Sequence, residues 1–155
     1  MKEYEVHPYA LIFPPMSKMD FETLTLDLRA NGLRDPITIF EGQIIDGRNR
    51  YRACVNLGIT PRFEEYYGDD PLAFVISKNL ARRHLDESQR AMVGARLANM
   101  KHGQREDYSR AANLPVCSQP EAATRVNVSE RSVRSARKVI DKVEKDEAVP
   151  ELAAA

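Results

Sequence analysis

Tryptophan is absent from this 155-residue chain, cysteine occurs only twice and histidine three times. Two cysteines, Cys54 and Cys117, cannot supply the bridge framework of a small secreted domain. Cys54 occupies an apolar position, so a buried free thiol is expected there. His7, His84 and His102 share no ligand spacing with one another or with the cysteines, and no structural metal is expected. Long apolar runs are missing too: none approaches the roughly 20 residues that span a bilayer. Met1-Lys2-Glu3-Tyr4-Glu5 lacks the apolar core of a signal peptide. These absences predict a cytoplasmic protein with no membrane partner. The length suits one ordinary domain or two small ones.

Net charge is also missing, since 23 Lys+Arg balance 23 Asp+Glu. The balance conceals an asymmetry. Residues 1–81 hold 9 basic side chains against 12 acidic, residues 82–142 hold 13 against 7, and the remainder 1 against 4. A basic excess confined to the C-terminal half suits a polyanionic partner there.

What is present is a succession of short elements. Glu5 to Phe13 reads as an apolar entry segment that stops at Pro14-Pro15. Asp20 is suited to cap a helix from Phe21 to about Asn31, with Leu24, Leu26 and Leu28 inward and Gly32 as its stop. Pro36–Phe40 and Gln43–Ile45 read as strands joined by a Glu41-Gly42 turn. Gly47 opens a helix that buries Tyr51, Cys54, Val55 and Leu57 and ends at Gly58. A third strand is expected over Pro61–Tyr67, and a further helix over Leu72–Asn79 carrying Phe74, Val75 and Ile76. Beyond it the pattern is helical only: a helix from Asp86 to Met100, a loop over residues 101–118, and helices over about 119–126 and 130–145. The expected class is α+β, a small mixed-sheet domain over residues 1–81 followed by an all-α region over 82–155.

Two motifs carry chemistry. In Asp46-Gly47-Arg48-Asn49-Arg50-Tyr51-Arg52 an apolar strand breaks at a glycine and runs into arginines at alternate positions. Glycine lets the backbone approach a bound group, and the first N–H groups of a helix favour an anion. Guanidinium forks suit phosphate or carboxylate. The second motif, residues 119–140, fits a helix-turn-helix. Ala122, Ala123 and Val126 pack the first helix, Asn127 takes the turn, and Ser129 caps a second helix packed through Val133, Ala136 and Ile140. Ser129, Arg131, Ser132, Arg134, Ser135 and Lys138 are then the candidate contacts to double-stranded DNA.

Three blocks together resemble the ParB-like family, whose N-terminal domain shares its fold with sulfiredoxin and precedes a helix-turn-helix. They are Leu28-Arg29-Ala30-Asn31-Gly32-Leu33-Arg34-Asp35-Pro36-Ile37, the box Asp46–Ala53, and Asn79-Leu80-Ala81-Arg82-Arg83-His84-Leu85 with the residues to Ala91. The resemblance spans roughly Leu24 to Ile140. It implies a nucleotide site, for CTP or ATP, in which Gly47, Arg48, Asn49 and Arg50 hold phosphates and Asn79, Arg82 and Arg83 close the pocket. It further implies plasmid, phage or mobile-element DNA as partner, in partition, replication or transcription control. Binding of two half-sites would favour a homodimer, with the helix from Asp86 to Met100 as a candidate contact. The family's magnesium is not expected to be held in the same way. Asn49 stands where the box usually has Glu, and Lys78 where an acid precedes the Asn, and a lysine cannot replace an oxygen ligand.

The alternative class is a ParB-fold enzyme acting on phosphates: a nucleotide triphosphatase, a nuclease or a small-molecule kinase. Phosphoryl chemistry needs charge neutralisation and a group that orients the nucleophile. Asp46 is the nearest carboxylate, and so the candidate catalytic residue, although a strand-end aspartate also serves as a plain turn cap.

Overall fold

Reciprocal bonds between close neighbours set where the first long helix begins. The computed structural model describes residues 3–82, 85–98 and 117–148. A short helix α1 (Pro8–Leu11) precedes α2 (Lys18–Asn31). The cap of α2 is Ser17, whose hydroxyl accepts from the Asp20 N–H at 3.1 Å and donates to the Asp20 carboxylate at 2.6 Å. Asp20 therefore lies inside the helix, three residues after its cap, and is not itself the cap that the sequence suggested. Leu28 is buried and Leu24 half-buried, one turn apart, whereas Leu26 is 63% exposed. Two residues on from Leu24 turns a side chain to the far side of a helix, so the expected inward Leu26 is corrected.

The strands are β1 (Ile37–Phe40), β2 (Gln43–Asp46) and β3 (Phe63–Glu65). Glu41 and Gly42 both take positive φ, 50° and 78°, which closes the tight antiparallel hairpin between β1 and β2. Its register, Phe40 opposite Gln43 and Ile39 opposite Ile44, is irregular before Thr38 opposite Asp46. On the other side β1 pairs in parallel with β3, giving a mixed sheet of order β2-β1-β3. Val6 adds a single parallel bridge to Ile44. The third strand is shorter than expected because β1 offers it only Ile37, Thr38 and Ile39.

Between β2 and β3 the chain crosses through α3 (Arg48–Leu57), which packs on α2. Cys54 and Ala53 are fully buried with Leu28 in that contact, as expected for a free thiol. Val55 is 48% exposed, a correction of the inward placement expected for it. Burial pushes the Cys54 thiol above its ordinary range, which keeps it unreactive. Helix α4 (Pro71–Arg82) packs on β2 and α1 and buries Leu72, Val75 and Ile76. Phe74 is only half-buried and lies against Tyr66, its ring centroid 4.6 Å away. These elements form one unit, Met1–Arg82. The chain is α+β with a mixed three-stranded sheet, the class its sequence suggested.

The second unit, Arg83–Ala155, is helical among its described residues: α5 (Glu87–Ala98), α6 (Gln119–Arg125) and α7 (Glu130–Ala148). Asp86 and Gln89 cap α5 reciprocally, at 2.7 and 3.1 Å. Of the loop expected over residues 101–118, only Cys117 and Ser118 are described; Cys117 is buried and Ser118 caps α6. Met100, the expected end of α5, also lies outside the described residues.

The core of this unit is built from small side chains, Ala91, Ala95, Ala123, Val133 and Ala136. Gly94 sits where the three helices come closest. A Cβ added there would lie 3.0 Å from Val133 Cγ2 and 3.1 Å from Val126 Cγ2. Gly94→Val should therefore destabilise this unit by about 2 kcal/mol, measured as a lower urea midpoint. An unchanged midpoint would mean that the crossing is looser than described. No helix among the described residues is long and apolar enough to cross a membrane.

Candidate anion site and nucleic-acid interface

The turn from β2 into α3 is dictated by Gly47, at φ 90° and ψ 17°. A side chain is excluded there for two reasons. The conformation is left-handed, and a Cβ would lie 3.0 Å from Arg50 Nη2 and 3.4 Å from Ile37 Cα. Arg50 thus folds its guanidinium back over the glycine. Its Nη2 is 3.1 Å from Asp46 Oδ2 and its Nη1 is 3.2 Å from Asp35 Oδ2.

Arg48 goes elsewhere. Its Nη1 donates to the Ala10 carbonyl at 2.9 Å, and its Nη2 to those of Phe13 and Pro14 at 3.2 and 2.9 Å. Arg52 stacks over the Phe21 ring, 4.2 Å from its centroid. Alternate positions on a helix are about 200° apart, so Arg50 turns away from Arg48 and Arg52, which lie one turn apart and diverge through their different partners. The box reads in sequence as a convergent cluster, yet in space it fans out.

The structure brings Arg50 together with Asp46 over Gly47, leaves Arg48 on its carbonyls and Asn49 half-buried in the first turn of α3, and adds two features that sequence reasoning missed. One is Asp35, in the turn before β1. The other is the run of carbonyls from Ala10 to Pro14. Neither has a sequence signal: Asp35 reads as an ordinary turn residue, and a backbone acceptor has no identity. Asn79 is half-buried in α4 and donates Nδ2 to the Val75 carbonyl at 2.9 Å within its own helix. Arg82 ends α4 with its side chain outside the described residues, as is all of Arg83. Lys78 is exposed, its Nζ 5.5 Å from the centre of the Phe74 ring. Among the described residues no group of three or more His, Cys, Asp or Glu side chains is placed to hold a metal ion.

The segment that Arg48 grips begins with a buried histidine. His7 Nδ1 accepts from the Tyr9 N–H at 3.2 Å and so caps α1, which only the neutral ring can do. Burial lowers its pKa from 6.5 to about 4. The folded state thus prefers neutral His7, and the stability this brings is complete above pH 6.5 and is lost as pH falls towards 4. The loss should approach about 3 kcal/mol. His7→Asn keeps a capping oxygen without a titrating ring, so its urea midpoint should stay flat where the wild-type midpoint falls. Parallel profiles for the two proteins would remove His7 from the account.

In the helical unit, Asn127 takes φ 53° between α6 and α7, a left-handed turn that asparagine tolerates. Ser129 caps α7, accepting from the Ser132 N–H at 3.0 Å. Arg131, Arg134, Ser135 and Lys138 are exposed along the first turns of α7. Arg134 pairs with Glu130 at 2.6 Å, an exposed contact that costs little to break. Ser132 differs from the outward position expected for it. It is half-buried, and its hydroxyl meets Ser129 at 2.8 Å and the Glu87 carboxylate of α5 at 3.1 Å.

Neither a protein-family model nor a curated protein matches the chain. Among solved structures it is similar to the C-terminally truncated chromosome-partitioning protein ParB from Caulobacter crescentus, solved with CTP-γ-S. The two are 22% identical over 91% of this chain and 78% of that one, with a TM-score of 0.40.

Proposed function

We infer that the protein binds double-stranded DNA through the α6–α7 turn and the start of α7, and that its N-terminal unit binds a phosphate-bearing ligand at the Gly47 turn. One observation carries the DNA reading. A left-handed turn at Asn127, a crossing of small residues and an exposed basic first half of α7 coincide in one three-helix unit. A helix-turn-helix needs all three: closeness to hold the angle, a turn to aim the second helix, and exposed cations at its start. The excess of basic over acidic residues along α7 also ends after Lys138, since Asp141 and Glu144 alternate with the lysines that follow.

The family resemblance of the sequence supplies the remaining proposals: CTP or ATP as ligand, a homodimer on paired half-sites, and a role in partition, replication or transcription control of plasmid, phage or mobile-element DNA. Ala91 and Ala95 of α5 already pack within their own unit, so a dimer contact through α5 would use its other residues. Titration of labelled CTP and ATP, with and without magnesium and duplex DNA, tests the combined reading. Saturable binding of duplex and of one nucleotide is the expected result; binding of neither would refute it. Turnover of nucleotide that Asp46→Ala abolishes, at an unchanged thermal midpoint, would add catalysis to ligand binding.

A further inference from the structure

Arg50 lies between two carboxylates of opposite character. The Asp46 side chain is 8% exposed, closes β2 and sits one helical turn before Arg50 in sequence. The Asp35 side chain is 76% exposed and belongs to the turn before β1. Removing the inner partner would leave a buried cation with only an exposed partner, so that pair is a fixture of the fold. The outer pair is a surface contact, readily exchanged for water or another anion. Pro36 confines Asp35 to extended backbone, which keeps its carboxylate on this edge. Asp35 thus covers the Nη1 edge of Arg50, and as a largely exposed side chain it is the partner that an anion from solution meets first.

We propose that Asp35 sets the affinity of the Gly47 site, its carboxylate standing in for the phosphate oxygen that would otherwise bond Arg50. This rests on reading the Gly47 turn as a phosphate site. A phosphate arriving at Arg50 has to displace Asp35, and until it does so it meets two carboxylates against one guanidinium. Local charge and donor geometry thus oppose the ligand at the same residue. Asp35→Asn removes the charge, keeps the side chain's size, and leaves the buried Asp46–Arg50 pair in place. Asp35 lies in neither helix nor strand, so this variant should fold as the wild type does.

Calorimetric titration with inorganic tripolyphosphate at low ionic strength tests the assignment. Asp35→Asn should bind about tenfold tighter than wild type, from removal of one like charge at the site. Asp69→Asn, an exposed acid before α4, controls for overall charge and should change little. In an Arg50→Lys background, which keeps the charge but loses the fork, the gain from Asp35→Asn should shrink, since only the relief of like charge remains. Wild-type binding with no gain in Asp35→Asn, or an equal gain in Asp69→Asn, would overturn the role of Asp35 while leaving the phosphate site standing. No binding by wild type or by Asp35→Asn would overturn both.

Discussion

Arg48→Ala should unfold the N-terminal unit well below the wild-type midpoint. Three backbone carbonyls, from Ala10, Phe13 and Pro14, share this one guanidinium. Ala10 and Phe13 are buried residues, so water cannot readily replace the missing donor. Bonds from a charged donor are worth more than neutral ones, and stranded acceptors add a desolvation cost, so a loss of about 3 kcal/mol is expected. For a unit of this size that is a fall of more than about 10 °C in the thermal midpoint. Lysine keeps the charge but cannot span acceptors in a planar fork, so Arg48→Lys should recover only part of the loss. A midpoint unchanged in Arg48→Ala, with tripolyphosphate binding abolished, would make Arg48 a ligand-binding residue and not a structural pin.

The second large effect concerns DNA. Replacing Arg134 and Lys138 together by alanine should weaken duplex binding by about tenfold to a hundredfold near physiological salt. The logarithmic salt slope should flatten by about 2, one for each phosphate that is no longer neutralised. Both side chains are exposed on α7, so stability should hardly change. Fluorescence anisotropy across a salt series measures affinity and slope together. Weaker binding without a change of slope would assign these residues to base edges and not to phosphates. An unchanged affinity would remove this face of α7 from the interface.

How far the sequence foretold this molecule depends on whether a feature is local. The Glu41-Gly42 hairpin, the glycine at the β2–α3 junction, the Asn127 turn and the Ser129 cap were legible because each is decided within four residues. So was the packing stripe of Ala122, Ala123, Val126, Val133 and Ala136, all of them buried, since helical spacing alone orders it. The length of β3 was not legible, because its partner strand sets it. Leu26 was misplaced by overlooking that two residues turn a helix by about 200°, whereas Val55 follows the helical spacing from Tyr51 and is exposed nonetheless. The arginine box shows the limit most clearly. Its composition announces anion binding, but the partner of Arg48 is a carbonyl run more than thirty residues earlier, and that of Arg50 includes Asp35. Long-range pairing of this kind leaves no periodic trace.

A chemical-shift map of the 15N-labelled protein against an unlabelled duplex tests the central claim most directly. Amide shifts should concentrate from Asn127 to Lys138 and fade towards the acidic end of α7, with the Gly47 turn responding to tripolyphosphate instead. Duplex-induced shifts confined to residues 3–82, or none anywhere at saturating duplex, would contradict the assignment of the helical unit as the DNA reader.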